Sequence, residues 1–230
     1  MEKKQSRKLE SENMKMNFSK GWGLIFYCGF MFFFLVGYSI DGLNIIAPAF
    51  AEKSGIEYST VLSMSTIAGL IGILAYICIS RIVIRVGARL VSGICLIASG
   101  VCYFALGSMN TLVGYAVCLT LVTCFVNGAA YISGNVLVAS WFPKKKGLVN
   151  GFTTMGFNFG SALYVPLISA LLTAFGFVSG MHLASVGGII LGLIGLIFIR
   201  NTPQEKGMYP DNVTKEVYMR EYYTEDTVSA

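Results

Sequence analysis

The sequence predicts an all-α integral membrane protein of six transmembrane helices. Three observations carry that prediction. The chain is 55% hydrophobic and only 13% charged over 230 residues, against roughly 25% charged in soluble domains. Its charges gather at residues 1–20, 52–57, 81–89, 144–146 and 200–226. Between them run apolar stretches of the roughly 20 residues that a membrane-crossing helix needs.

Residues 1–21 form a polar N-terminal tail, followed by a first span at about 22–50. Basic residues precede that span, and Ala49-Phe50-Ala51 has the small-x-small form of a signal-peptide cleavage site. The apolar run is far longer than the roughly 7–15 residues of a signal h-region, so it is read as an uncleaved first helix. Further spans are expected at about 58–80, 90–108, 111–139, 148–175 and 179–199, together making a bundle over residues 22–199. Ser108-Met109-Asn110 makes a tight turn between the third and fourth, and Gly176 with Ser179 and Gly180 separates the fifth from the sixth. Residues 200–230, charged and interrupted by Pro203 and Pro210, read as a linker or tail. Cys28, Cys78, Cys95, Cys102, Cys118 and Cys124 all lie in apolar stretches and read as small apolar fillers rather than a disulfide framework.

Charge gives the orientation. With six spans, the N-terminus, the 81–89 loop, the 140–147 loop and the C-terminal tail share one side, and that side carries all but Lys53 of the 17 Lys and Arg. Cytoplasmic loops hold the excess of Lys and Arg, so both termini are expected in the cytoplasm and the protein in the plasma membrane. In "SWFPKKKGLVNGF" (140–152), Lys144, Lys145 and Lys146 anchor this topology. The net charge of +5 is accounted for by an anionic lipid leaflet and requires no nucleic-acid partner.

Polar residues inside the spans mark candidate function, because a charged group in hydrocarbon is costly. Asp41 is the only acidic residue deep in a span; on a continuous helix Gly37, Asp41, Asn44 and Pro48 share a face with Tyr38 at its edge. The fourth span repeats the spacing with Asn127, Tyr131 and Asn135, and the fifth offers Asn150, Thr154, Phe157, Asn158 and Ser161. Such stripes serve either as interhelical glue or as the lining of a shared cavity, and three of them on spans one, four and five favour the cavity. Gly156 with Gly160, Gly188 with Gly192, and the Gly93, Gly100, Gly107 stripe mark close helix packing. His182 is the only histidine, so no histidine metal cluster is expected. Catalytic and phosphate-loop motifs do not occur, so neither a cofactor nor enzymatic chemistry is expected.

A family resemblance adds to this. "SRIVIRVGARLV" (80–91) lies where transporters of the major facilitator superfamily carry a Gly-x-x-x-Asp-Arg-x-Gly-Arg-Arg/Lys loop. Arg85, Gly87 and Arg89 match it and Arg81 lies in the same loop, whereas Ser80, Ile84 and Ala88 depart from it. "WFPKKKGLVNGF", "GFNFGSALYVPL" (156–167) and "NTPQEKGMYPDN" (201–212) are similar to the oxalate/formate antiporter and monocarboxylate transporter-like branch. The resemblance implies one lobe of a major facilitator fold, two inverted three-helix repeats, corresponding to the N-terminal half and part of the central linker. It also implies a second six-helix half, supplied by a separate chain, a lost continuation or another copy. Tyr38, Tyr131 and Phe157 are the cavity aromatics it implies.

Two functions therefore compete. In the first, the chain is half of a secondary transporter moving a small organic anion with a proton or counter-anion by alternating access. Asp41 then exchanges a proton or cation, and the polar stripes contact solute. In the second, it is a non-transporting six-span sensor or assembly protein derived from such a half; the degraded 80–89 loop favours this, and the intact polar stripes oppose it.

Overall fold

A computed structural model describes residues 21–221, and every regular element among them is helical. That follows from the apolar sequence: in hydrocarbon each backbone N–H and C=O needs an internal partner, and a helix supplies all of them within one segment. The elements are α1 (Trp22–Ser39), α2 (Leu43–Ser54), α3 (Tyr58–Val86), α4 (Ala88–Ser108) and α5 (Leu112–Asn127). A π-helical turn at Gly128–Ser133 leads into α6 (Gly134–Trp141); α7 (Lys146–Phe159) runs through a second π turn at Gly160–Tyr164 into α8 (Val165–Phe198). Short 3₁₀ turns at Pro203–Lys206 and Pro210–Asn212 precede α9 (Lys215–Glu221).

Five helical stretches are long and apolar enough to cross a membrane: Trp22–Ser54, Tyr58–Val86, Ala88–Ser108, Leu112–Trp141 and Lys146–Phe198. The last holds 53 residues, which as one straight rod would extend about 80 Å, far beyond a hydrocarbon core of about 30 Å. It is not one rod. Gly176 has φ 76°, ψ 168°, outside the helical region, and a Cβ on Gly180 would lie 2.9 Å from the carbonyl oxygen of Leu171. Nine helical residues rise roughly 13 Å, so that approach requires the chain to fold back at Gly176.

Three boundaries differ from the sequence expectation. The first span is broken: Ile40 leaves the helix at φ −123°, ψ −93°, and the Gly42 N–H reaches back to Val36 O at 3.3 Å. A Cβ on Gly42 would sit 1.7 Å from Gly37 O, so only glycine admits this turn. The face expected to join residues 37, 41, 44 and 48 is therefore interrupted. The loop expected at 81–89 is helix as far as Val86, so Arg81 and Arg85 lie on the last turns of α3. Gly87 alone turns the chain into α4, with φ 95° in the region that favours glycine. Finally, residues 200–212 are not slack linker but are folded against the basic end of the bundle, as described below. Residues 1–20 and 222–230, holding most of the expected N-terminal tail and the end of the C-terminal one, lie outside the described residues.

Small residues set the helix spacing, as in membrane interiors where van der Waals contact and interhelical hydrogen bonds drive association. Gly156 of α7 meets the backbone of Gly29 on α1, where an added Cβ would lie 1.9 Å from Gly29 O. On α4, Gly93, Gly100 and Gly107 face Leu196, Ile189 and Met181 of α8. Two apolar clusters result. One, toward the lysine-rich end, contains Cys28, Met31, Leu96, Trp141 and Phe142; the other, toward the opposite end, contains Tyr38, Phe50, Tyr103, Tyr115 and Tyr164.

Candidate functional site

Asp41 occupies the break between α1 and α2, where the chain turns through Ile40 and Gly42. Its carboxylate is partly buried and accepts a hydrogen bond from the Ser161 hydroxyl. Ser161 belongs to the π turn that interrupts the α7–α8 stretch. The acid thus meets its partner where both helices depart from regular geometry. Such π turns loosen the backbone ladder locally and recur at functional positions. Asn44 begins α2 just beyond, exposed, its N–H bonded to Asp41 O at 3.1 Å.

The α5–α6 stripe splits in the same manner. Tyr131 lies inside the π turn Gly128–Ser133, with Asn127 before it and Asn135 after it. Asn127 Oδ1 accepts from the hydroxyl of Tyr76 on α3 at 3.0 Å, while its Nδ2 donates to Thr123 O at 2.7 Å. Tyr131, 37% exposed, sets its ring against Phe32 of α1 at 5.4 Å between centroids, edge to face. Tyr76 approaches it at 6.4 Å. Asn135 is exposed and donates to Tyr131 O at 2.6 Å. On α7, Thr154 and Asn158 are exposed, Thr154 bonding only locally to Asn150 O and Gly151 O. Phe157 is partly buried against the cluster at the lysine-rich end.

Tyr38 lies in the interior instead. It is 0% exposed, stacked on Tyr103 at 4.0 Å, and donates to Ala184 O at 3.1 Å or Ser185 O at 3.2 Å while accepting from Gly188 N. The Tyr164 hydroxyl donates to that of Tyr103 at 3.0 Å. Three tyrosines thus tie α1, α4 and both parts of the α7–α8 stretch together in the interior.

At the lysine-rich end, Arg89 donates through Nε to Leu196 O at 3.2 Å and through Nη2 to the same oxygen. Its backbone N–H donates to Asn201 Oδ1 at 2.8 Å. Asp211 is 3% exposed and accepts from the backbone N–H groups of Lys144 and Lys145 at 3.1 and 3.2 Å. That carboxylate sits just ahead of α7, where the helix dipole favours an anion. The Trp141 indole donates to Arg200 O at 3.0 Å. At the opposite end Lys53 Nζ donates to Gly107 O and Met109 O at 3.2 and 2.9 Å, closing the C-terminal turn of α4.

Sequence reasoning missed Tyr76 and Asp211. Tyr76 is at the spacing of no stripe, and only the fold brings it to Asn127. Asp211 lies in the stretch read as linker, although "YPDN" carries the Pro-Asp-Asn signal of an ordered turn. Among the described residues no group of three or more His, Cys, Asp or Glu is placed to hold a metal.

Comparison with known proteins fits this architecture. The family described as Major Facilitator Superfamily matches residues 28–219. The chain is 37% identical over 68 residues to the oxalate:formate antiporter of Oxalobacter formigenes, covering 29% of this chain and 16% of the relative. It is 44% identical over 45 residues to apicoplast pyruvate carrier 1 of Toxoplasma gondii, covering 20% of this chain and 8% of the relative. The matched stretches therefore span well under two thirds of either relative.

Proposed function

From the premise that the chain belongs to the major facilitator superfamily, a family of multi-pass membrane transporters rather than enzymes, we propose that it moves a small carboxylate by alternating access. The helices are read as six spans forming one lobe of two inverted three-helix repeats, a reading supported by the fold-back at Gly176 within the last stretch. A second six-helix half, from a separate chain, a continuation of this one or another copy, closes the pathway against the side chains of Asn44, Tyr131, Asn135, Thr154 and Asn158. The termini and the lysine triplet lie in the cytoplasm, and the lobe in the plasma membrane.

The observation that carries the proposal is the Asp41–Ser161 hydrogen bond between two broken helices. A carboxylate there exchanges a proton or cation as the helices rearrange, while the exposed amides and hydroxyls contact solute. The carboxylate class draws its support from the substrates that both relatives are named for, oxalate with formate and pyruvate.

The test is uptake of labelled oxalate, formate and pyruvate by proteoliposomes containing the purified full chain, with an uncharged sugar as control. Saturable uptake of at least one carboxylate, responsive to an imposed pH gradient, is expected. Uptake of none of the three, both by the folded and inserted chain alone and with a second six-helix half co-reconstituted, rejects the proposal in favour of the non-transporting alternative.

A further inference from the structure

Away from the polar face, a groove of about 480 Å³ runs between α1 and the second part of α8. Its walls include Leu24, Tyr27, Phe30, Phe34, Ile190 and Ile194. At one end stand Trp141 and Lys206, which line the same groove, with Lys206 Nζ 5.7 Å from the centre of the Trp141 ring. Glu205, its neighbour in sequence, does not line it.

We infer that this groove is a lipid site: it holds one acyl chain of an anionic phospholipid whose head group is met by Lys206. Three features select that occupant. The groove spans Gly23 to Phe34 on α1, about 16 Å of helix at 1.5 Å per residue. That is one leaflet's share of a core about 30 Å thick, long enough for an acyl chain and too short for a spanning helix. Its polarity is graded as in a lipid, aromatic and aliphatic along its length with a single cation at the end. That end lies level with the Trp141 indole, whose bond to Arg200 O fixes it where the bundle gives way to the 3₁₀ turn of Pro203–Lys206; tryptophan favours that interfacial depth. The groove is also open to the surrounding hydrocarbon, with Phe26 61% and Phe30 50% exposed along its rim. Gly23 lines it, and a Cβ there would meet no atom within 4 Å, so a larger side chain at this position has open space to enter.

The site is independent of which solute, if any, the chain carries. It is tested by native mass spectrometry of the full chain in detergent, with equimolar phosphatidylglycerol and phosphatidylcholine of identical acyl chains. Wild type is expected to retain phosphatidylglycerol about fivefold over phosphatidylcholine, the worth of one lysine at an anionic surface. Lys206→Gln should abolish that preference, Lys215→Gln should leave it intact, and Gly23→Phe should release both lipids. Equal retention of the two lipids by wild type overturns the inference. So does an unchanged preference in Lys206→Gln, which alters only an exposed side chain and folds irrespective of Gly23→Phe. A dimer that Gly23→Phe dissociates would assign the groove to a second copy of the chain and likewise overturn it.

Discussion

The Ser161 hydroxyl donates to the Asp41 carboxylate across 120 residues of sequence, joining the break between α1 and α2 to the π turn of Gly160–Tyr164. A hydrogen bond to a charged group contributes ~1.5–3 kcal/mol. If it is made in only one state of the transport cycle, Ser161→Ala should lower the uptake rate about tenfold or more, at ~1.4 kcal/mol per tenfold. Ser161→Thr, which keeps the hydroxyl, should recover most of it. Initial-rate uptake by reconstituted protein checks this, and equal rates for Ser161→Ala and wild type would remove Ser161 from the mechanism.

The Tyr38 hydroxyl is enclosed by Ala184 O, Ser185 O and Gly188 N, an arrangement that predicts a structural role for it. Tyr38→Phe leaves those groups without their partner and should destabilise the fold by about 1 kcal/mol, within the ~0.6–1.7 kcal/mol measured for interhelical bonds in membranes. Affinity for solute should be unchanged. Thermal unfolding in detergent, compared with the uptake KM, separates the two roles; a raised KM with unchanged stability would return Tyr38 to the pathway.

How much of this was legible beforehand follows from what each feature depends on. Hydropathy acts residue by residue, so it was enough to mark the chain as one of long apolar helices, of which five stretches are long and apolar enough to cross a membrane. The Gly176 separation was visible for the same reason: glycine between two long apolar runs leaves few other places to turn. The face joining Gly37, Asp41, Asn44 and Pro48 was not legible as broken because the 3.6-residue period assumes a continuous helix, and the turn at Ile40–Gly42 interrupts it. The π turns at Gly128–Ser133 and Gly160–Tyr164 leave no composition signal, since each adds one residue to a turn of otherwise ordinary helix. Tyr76 depends on α3 meeting α5, a long-range contact that no local spacing encodes. Asp211 was missed because its partners are backbone N–H groups, which any residues at 144 and 145 would present.

The Asp211 contact makes its own prediction. Removing an acceptor at a helix N-terminus costs ~1 kcal/mol, so Asp211→Ala should loosen the segment around Lys144 and Lys145. Trypsin cleavage at the lysine triplet should rise about fivefold, as expected when ~1 kcal/mol is lost from a local opening equilibrium. Timed proteolysis of the purified chain measures it. An unchanged cleavage rate would show that residues 200–212 do not restrain this loop.

The α1–α7 crossing predicts the largest stability effect. With a Cβ at 156 placed 1.9 Å from Gly29 O, Gly156→Ala must push the two helices apart and should cost several kcal/mol, the range of severe overpacking and strain. Gly151→Ala, on the same helix with nothing within 4 Å of its Cβ, is the matched control and should be near neutral. Melting temperatures of the two variants decide between a required close contact and general intolerance of α7 to substitution.

The most direct test of the account is carboxylate uptake under an imposed pH gradient, wild type beside Asp41→Asn. Asparagine keeps an oxygen that can accept from Ser161 but cannot exchange a proton. The account predicts that Asp41→Asn folds, binds solute, and loses the acceleration that the gradient gives wild type. An Asp41→Asn protein that responds to the gradient as wild type does would contradict it.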